Sequence, residues 1–126
     1  MPTVSLQSIG NPSYIALRTF RKSGVAVDTA VWVAADGGKL YVYTADTSGK
    51  AKRIRNSGTV EICVSDMRGQ PKGEWVPAQA RVLDAPADVA RGLALIKRKY
   101  GIQYRLVMLF DRSKAKTVIL EISDRA

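Results

Sequence analysis

The 126-residue chain is 46% hydrophobic and 25% charged, which is the composition of one ordinary globular domain over 1–126 and excludes a disordered chain. Its apolar runs fall far short of the ~20 residues of a spanning helix, and MPTVSLQSIG has neither a basic nor an apolar signal region, so the expected location is the cytoplasm. One cysteine, no histidine and a net charge of +9 exclude an internal disulfide, a Cys/His metal site and histidine-based acid–base catalysis, and they favour polyanionic partners.

Tyr14 to Phe20 alternates and is rich in β-formers, so it reads as a strand. Arg21-Lys22-Ser23-Gly24 is a turn. Val25 to Ala34 then alternates strictly, predicting one long strand. Val25, Val27, Thr29, Val31 and Val33 share one face; Ala26, Asp28, Ala30, Trp32 and Ala34 share the other. Asp36-Gly37-Gly38 predicts a tight hairpin, because glycine tolerates positive φ, and Leu40 to Ala45 returns as a third strand.

A short basic helix follows, capped by Thr47 or Ser48 and ended by Gly58. Ala51 and Ile54 would face the core, with Lys50 and Arg53 together on one flank. Thr59 to Ser65 predicts a fourth strand, residues 68–73 a loop, and Glu74 to Leu83 a fifth strand in which Pro77 requires an edge or a bulge. Pro86 opens a longer helix with Val89, Leu93, Ile96 and Tyr100 at helical spacing, and Gly101 closes it. Gln103 to Asp111 reads as a short helix and Lys116 to Ser123 as the last strand. The expected fold is mainly β with some α: a small split barrel of about six antiparallel strands with Greek-key order. The short helix follows the third strand and the longer one precedes the last strand.

The sharpest chemical signal lies between the third strand and the basic helix. Ser48, Gly49 and Lys50 open a helix that also carries Lys52, Arg53 and Arg55 and no acidic residue. A helix N-terminus offers free N–H groups and partial positive charge. A hydroxyl, a glycine and a lysine placed there make a phosphate cradle; a solvated basic face is the alternative. Trp32 reads first as core, Trp75 as core or subunit packing, Cys63 as a buried inert thiol and Asp28 as a solvent charge. Lys97-Arg98-Lys99 reads as helix-end charge, and Tyr100 and Tyr104 as packing residues.

Tyr43-Thr44, Ser48-Gly49-Lys50, Arg53-Ile54 and Val60 resemble the phosphate-binding segment of the pyridoxamine-5′-phosphate-oxidase-like, FMN-binding split barrels. More closely, the chain resembles a subgroup of probable F420-dependent enzymes. The residues that carry this are Tyr14-Ile15-Ala16-Leu17-Arg18-Thr19-Phe20, Thr29-Ala30-Val31-Trp32, Gly49-Lys50-Ala51-Lys52-Arg53-Ile54-Arg55 and Lys99-Tyr100-Gly101. The resemblance implies a homodimer with two cofactor sites at its interface. It implies a tail anchored by Thr44, Ser48, Gly49, Lys50 and Arg53, and a flat ring lined by Thr29, Val31 and Trp32. Coenzyme F420, a polyanionic deazaflavin, is the implied cofactor and FMN the alternative. Two departures argue against vitamin-B6 oxidase activity. Gly49 stands where the oxidases proper carry arginine, and the chain has no histidine to match the C-terminal His that, with an Arg, holds pyridoxal phosphate there.

The implied activity is an oxidoreductase passing a hydride from reduced F420 to a small conjugated molecule, with no catalytic residue assigned and no metal. A flavin carrier without turnover would use the same anchors. A small basic nucleic-acid-binding barrel ranks last, because aromatics make up only 7% of the chain and stacking platforms need them exposed on a sheet face. Neither nucleic acid nor stable membrane insertion is expected.

Overall fold

The computed structural model describes residues 13–110 and 115–124. In chain order the elements are β1 (Ile15–Phe20), β2 (Ala26–Val31), β3 (Ala34–Asp36), β4 (Lys39–Ala45), α1 (Gly49–Asn56), β5 (Thr59–Val64), β6 (Val76–Leu83), α2 (Pro86–Tyr100), α3 (Ile102–Phe110) and β7 (Thr117–Asp124). The strands form one antiparallel sheet in the order β2-β1-β5-β6-β7-β4-β3. Its two edge strands, β2 and β3, are consecutive in the chain and joined only by Trp32 and Val33. The sheet must therefore curl until its edges approach, which makes a half-barrel split along the seam between them.

Seven strands thus replace the expected six. The run from Val25 to Ala34 is two strands, and the short helix follows the fourth strand instead of the third. The sequence gives no sign of the break, since 25–34 contains neither glycine nor proline. The break is made by α2. The Tyr100 hydroxyl accepts from Val33 N at 2.9 Å and lies 3.1 Å from Val33 O, and Lys99 Nζ donates to Val33 O at 2.6 Å. These side chains satisfy the buried backbone where a ladder strand otherwise would. Lys99 is accordingly a strand-break partner and not merely helix-end charge.

Alternation sorts the faces. Ile15, Leu17, Val33, Leu40, Val42, Val60, Ile62, Ala78, Ala80, Leu120 and Ile122 fill the concave side together with Ile54 of α1. On the outer side α2 packs over β3, β4 and β7. Gly92 allows this approach, because a Cβ there would lie 2.6 Å from Ile119 Cδ1. The loop after β5 folds back over the outer face of β1 and β2, with Gly69 against Ala30 and buried Cys63 Sγ 3.2 Å from Gly73 O.

The glycine hairpin forms as predicted, with Asp36 opposite Lys39 and both Gly37 and Gly38 at positive φ. Gly58 has a different reason from the one its sequence position suggests. Ser57, in extended conformation, caps α1, and a Cβ on Gly58 would meet Ala80 O at 2.7 Å, so Gly58 serves close strand approach. Pro77 sits opposite Glu61 and beyond the last β6–β7 pair, Ala78–Asp124; this part of an interior strand is locally an edge. Asp28 is exposed yet paired: Arg18 Nε donates to its Oδ1 at 2.8 Å, and the same guanidinium reaches Glu61 and lies 3.8 Å above the Trp75 ring.

Candidate functional site

β3 pairs only with Lys39, Leu40 and Tyr41. Beyond Tyr41, β4 runs on as Val42 to Ala45 with β7 on one side and the seam on the other. Across that seam stands the end of β2. The result is a cleft of about 390 Å³ lined by Tyr14, Ala30, Val31, Trp32, Tyr43, Thr44, Ala45 and Val107, within the size range of small-molecule sites. Trp32 forms part of its wall and is itself held in place: it stacks on Tyr100 with centroids 4.3 Å apart and rings 9° from parallel, and meets Tyr43 edge-on at 6.4 Å.

The chain leaves the cleft at Ala45 and enters α1 four residues later, at Gly49. Ser48 caps the helix, its hydroxyl oxygen accepting from Ala51 N at 3.2 Å, and its own O–H can still donate to a ligand. Arg53 turns back over the first turn. Its Nε donates to Thr19 Oγ1 at 2.6 Å, and a Cβ on Gly49 would lie 2.7 Å from its Nη1. Glycine at 49 therefore makes room for the guanidinium. Lys50 is half-buried beside it. Burial, and then the Arg53 charge, hold the Lys50 ammonium below the usual lysine range. Among the described residues no carboxylate ion-pairs with Lys50 or Arg53; the nearby Asp46 is bound by Arg55. Two cations without a carboxylate at a helix N-terminus create a positive local field, which is electrostatics that would favour an anion.

The eight sequence-selected residues fall into three groups. Val31, Trp32 and Thr44 line the cleft. Ser48, Gly49, Lys50 and Arg53 form the basic helix entrance just past it. Thr29 does not line the cleft; it lies two residues along β2 from Val31 and on the same side. Its Oγ1 is buried without a hydrogen-bond partner among the described residues. Sequence reasoning missed Tyr14, Ala30, Ala45 and Val107 as wall residues, and Tyr43 too, although it begins the phosphate-segment motif. It also missed Tyr100 as the support behind Trp32 and Lys99 as the donor to Val33 O. Only the curl of the sheet brings Val107 of α3 to this place.

A flat, anionic redox cofactor fits what is here. The cleft supplies an aromatic wall, α1 supplies two unneutralised cations, Gly49 keeps one of them in place, and the orphaned Thr29 hydroxyl lies on the same strand as Val31. Another hollow, of about 310 Å³ beside Gly58, Gln79 and Arg81, has no aromatic wall, and its arginine is already paired with Glu121 at 2.8 Å. Among the described residues there is no group of three metal-ligating side chains, and no helix is long and apolar enough to cross a membrane.

No model of a known protein family matches the chain, and no curated protein is similar to it. Solved structures are. An F420 reductase aligns over 100% of this chain and 97% of its own, with a TM-score of 0.66 and 22% identity. A pyridoxamine 5′-phosphate oxidase-related, FMN-binding protein of Nostoc punctiforme aligns over 89% and 70%, with a TM-score of 0.60 and 15% identity. The fold is the pyridoxamine 5′-phosphate oxidase-like split barrel. The same split barrel is shared by HutZ, a heme storage protein of Vibrio cholerae, with a TM-score of 0.70 and 9% identity over 96% of this chain and 88% of that one. Split barrels thus serve both flavin-type and heme ligands, and the residues of the site must decide between them.

Proposed function

We propose that this split barrel is an F420-dependent oxidoreductase. Lys50 and Arg53 take the anionic tail, with Ser48 and Thr44 beside them. Val31, Trp32 and Tyr43 face the flat ring, and Thr29 offers its hydroxyl from the neighbouring position on β2. When bound, the deazaflavin supplies a hydride to a small conjugated substrate. The chain supplies orientation and an aromatic wall, and the partner subunit would close the cleft to water: a positioned donor in such a site gains rate from reduced entropy loss and from protection against side reactions. As the resemblance implies, the protein works as a homodimer whose partner subunit covers the seam.

The observation that carries this reading is the half-buried Lys50–Arg53 pair without a carboxylate, at the end of an aromatic cleft. Two unneutralised cations would match the phosphate of either cofactor, since a phosphate monoester alone carries about two negative charges; the net charge of +9 over the chain is what favours the longer polyanionic tail of F420 over FMN. Heme is less well served. The chain has no histidine, the axial ligand used by globins and peroxidases, and Cys63 is fully buried away from the cleft, which leaves the rarer tyrosine ligation by Tyr14 or Tyr43.

Titration with F420 and with FMN, followed by absorbance and fluorescence, tests the reading. Tighter F420 binding is expected, weakened by about 1–3 kcal/mol in Lys50→Ala, as for loss of a charge-assisted contact. Unchanged affinity in that variant, or tighter FMN binding, contradicts the assignment. Oxidation of bound reduced F420 that depends on an added substrate separates an enzyme from a carrier.

A further inference from the structure

We propose that the outward face of α3, together with the cations beside it, is a surface that adsorbs reversibly to an anionic lipid bilayer. Ile102, Leu106 and Leu109 are 71%, 50% and 74% exposed. Spaced i, i+4, i+7, they form one stripe along the helix. The other side of α3 is already occupied: Tyr104 packs with Ile96 and Tyr100. A helix apolar on both sides and packed on one has a second apolar surface to cover.

Charge selects the occupant. Residues 97–110 contain Lys97, Arg98, Lys99 and Arg105 and no acidic residue. Lys97, Arg98 and Arg105 are exposed. A second copy laid stripe to stripe would bring two such sets of cations together with no carboxylate in either segment. Anionic headgroups would neutralise them while the acyl boundary takes up the stripe. At ~1.5 Å per residue the helix is about 13 Å long, far too short to span a bilayer, so it would lie in the plane of the surface. Val107 of the same helix lines the cleft and lies roughly 130° around the helix from the centre of the stripe, so a partner subunit covering the seam there would leave the stripe free. The proposal does not depend on which cofactor the cleft holds.

The full chain is sedimented with vesicles of phosphatidylcholine alone and of phosphatidylcholine mixed with phosphatidylglycerol. Binding is expected only to the mixed vesicles. The double variant Leu106→Gln/Leu109→Gln should bind at least about tenfold more weakly, as expected for two lost apolar insertions, and Lys97→Gln/Arg98→Gln should weaken binding severalfold. Both should melt with the wild type, since these side chains are exposed. If the leucine variant binds as wild type does, charge alone drives adsorption and the stripe has no part in it. If the wild type ignores the mixed vesicles, the proposal fails. Should the leucine variant then turn a dimer into a monomer by light scattering, the face belongs to a second copy of the chain.

Discussion

Removing the Tyr100 hydroxyl tests how the seam is held open. In Tyr100→Phe the stack under Trp32 persists, since ring size is unchanged. Lys99 Nζ still donates to Val33 O at 2.6 Å. What is lost is the acceptor for Val33 N and the donor that lies 2.6 Å from Ser13 O. Val33 is 0% exposed, so its N–H would be buried without a partner, a cost of about 1–3 kcal/mol. With an unfolding entropy of about 2.1 cal/mol/K per residue, a loss of 2 kcal/mol lowers Tm by roughly 8 °C for a chain of this length. Burial also pushes the Tyr100 hydroxyl up to about 12 from an ordinary 10.0. An acid whose pKa is raised on folding is neutral in the native state where the unfolded chain has already ionised. Its contribution to stability is therefore intact below pH 10 and lost as pH rises from about 10 to about 12. Urea denaturation of wild type and variant at neutral pH and across that window reads both effects. A loss under about 0.5 kcal/mol at neutral pH, below the range for an orphaned buried amide, would refute the role given to the hydroxyl. So would an alkaline stability loss identical in wild type and Tyr100→Phe.

The proposed tail cradle has its own pH signature. Lys50 is held below 10.5 by burial and by Arg53, so cofactor affinity should decline with rising pH earlier than an ordinary lysine would dictate; calorimetric titration at a series of alkaline pH values shows this, and a flat profile would remove Lys50 from the cradle. Gly92→Ala drives a Cβ to within 2.6 Å of Ile119 and should cost about 1–3 kcal/mol of stability by overpacking; a neutral effect in urea denaturation would show that α2 is not seated so tightly on β7. Light scattering at micromolar concentration should report a homodimer, and a monomer would leave the seam without its proposed cover.

The local geometry of the basic helix start could be read from the order of residues along the chain. Ser48 caps the helix, Ala51 and Ile54 turn inward, and Lys50 and Arg53 share a flank, because local spacing fixes each of these relations within one or two helical turns. The Gly37-Gly38 hairpin and the Pro86 and Gly101 boundaries of α2 were legible for the same reason. The break at Trp32–Val33 was not. Its cause is Tyr100, 67 residues away in sequence, and a local window contains no trace of a partner that distant. Tertiary structure alone made Tyr100 the support for Trp32 and Lys99 the donor to Val33 O, brought Val107 to the cleft and left Thr29 with an unanswered hydroxyl. Periodicity records which side of a strand is apolar; whether that strand continues or yields depends on what the closed sheet places beside it.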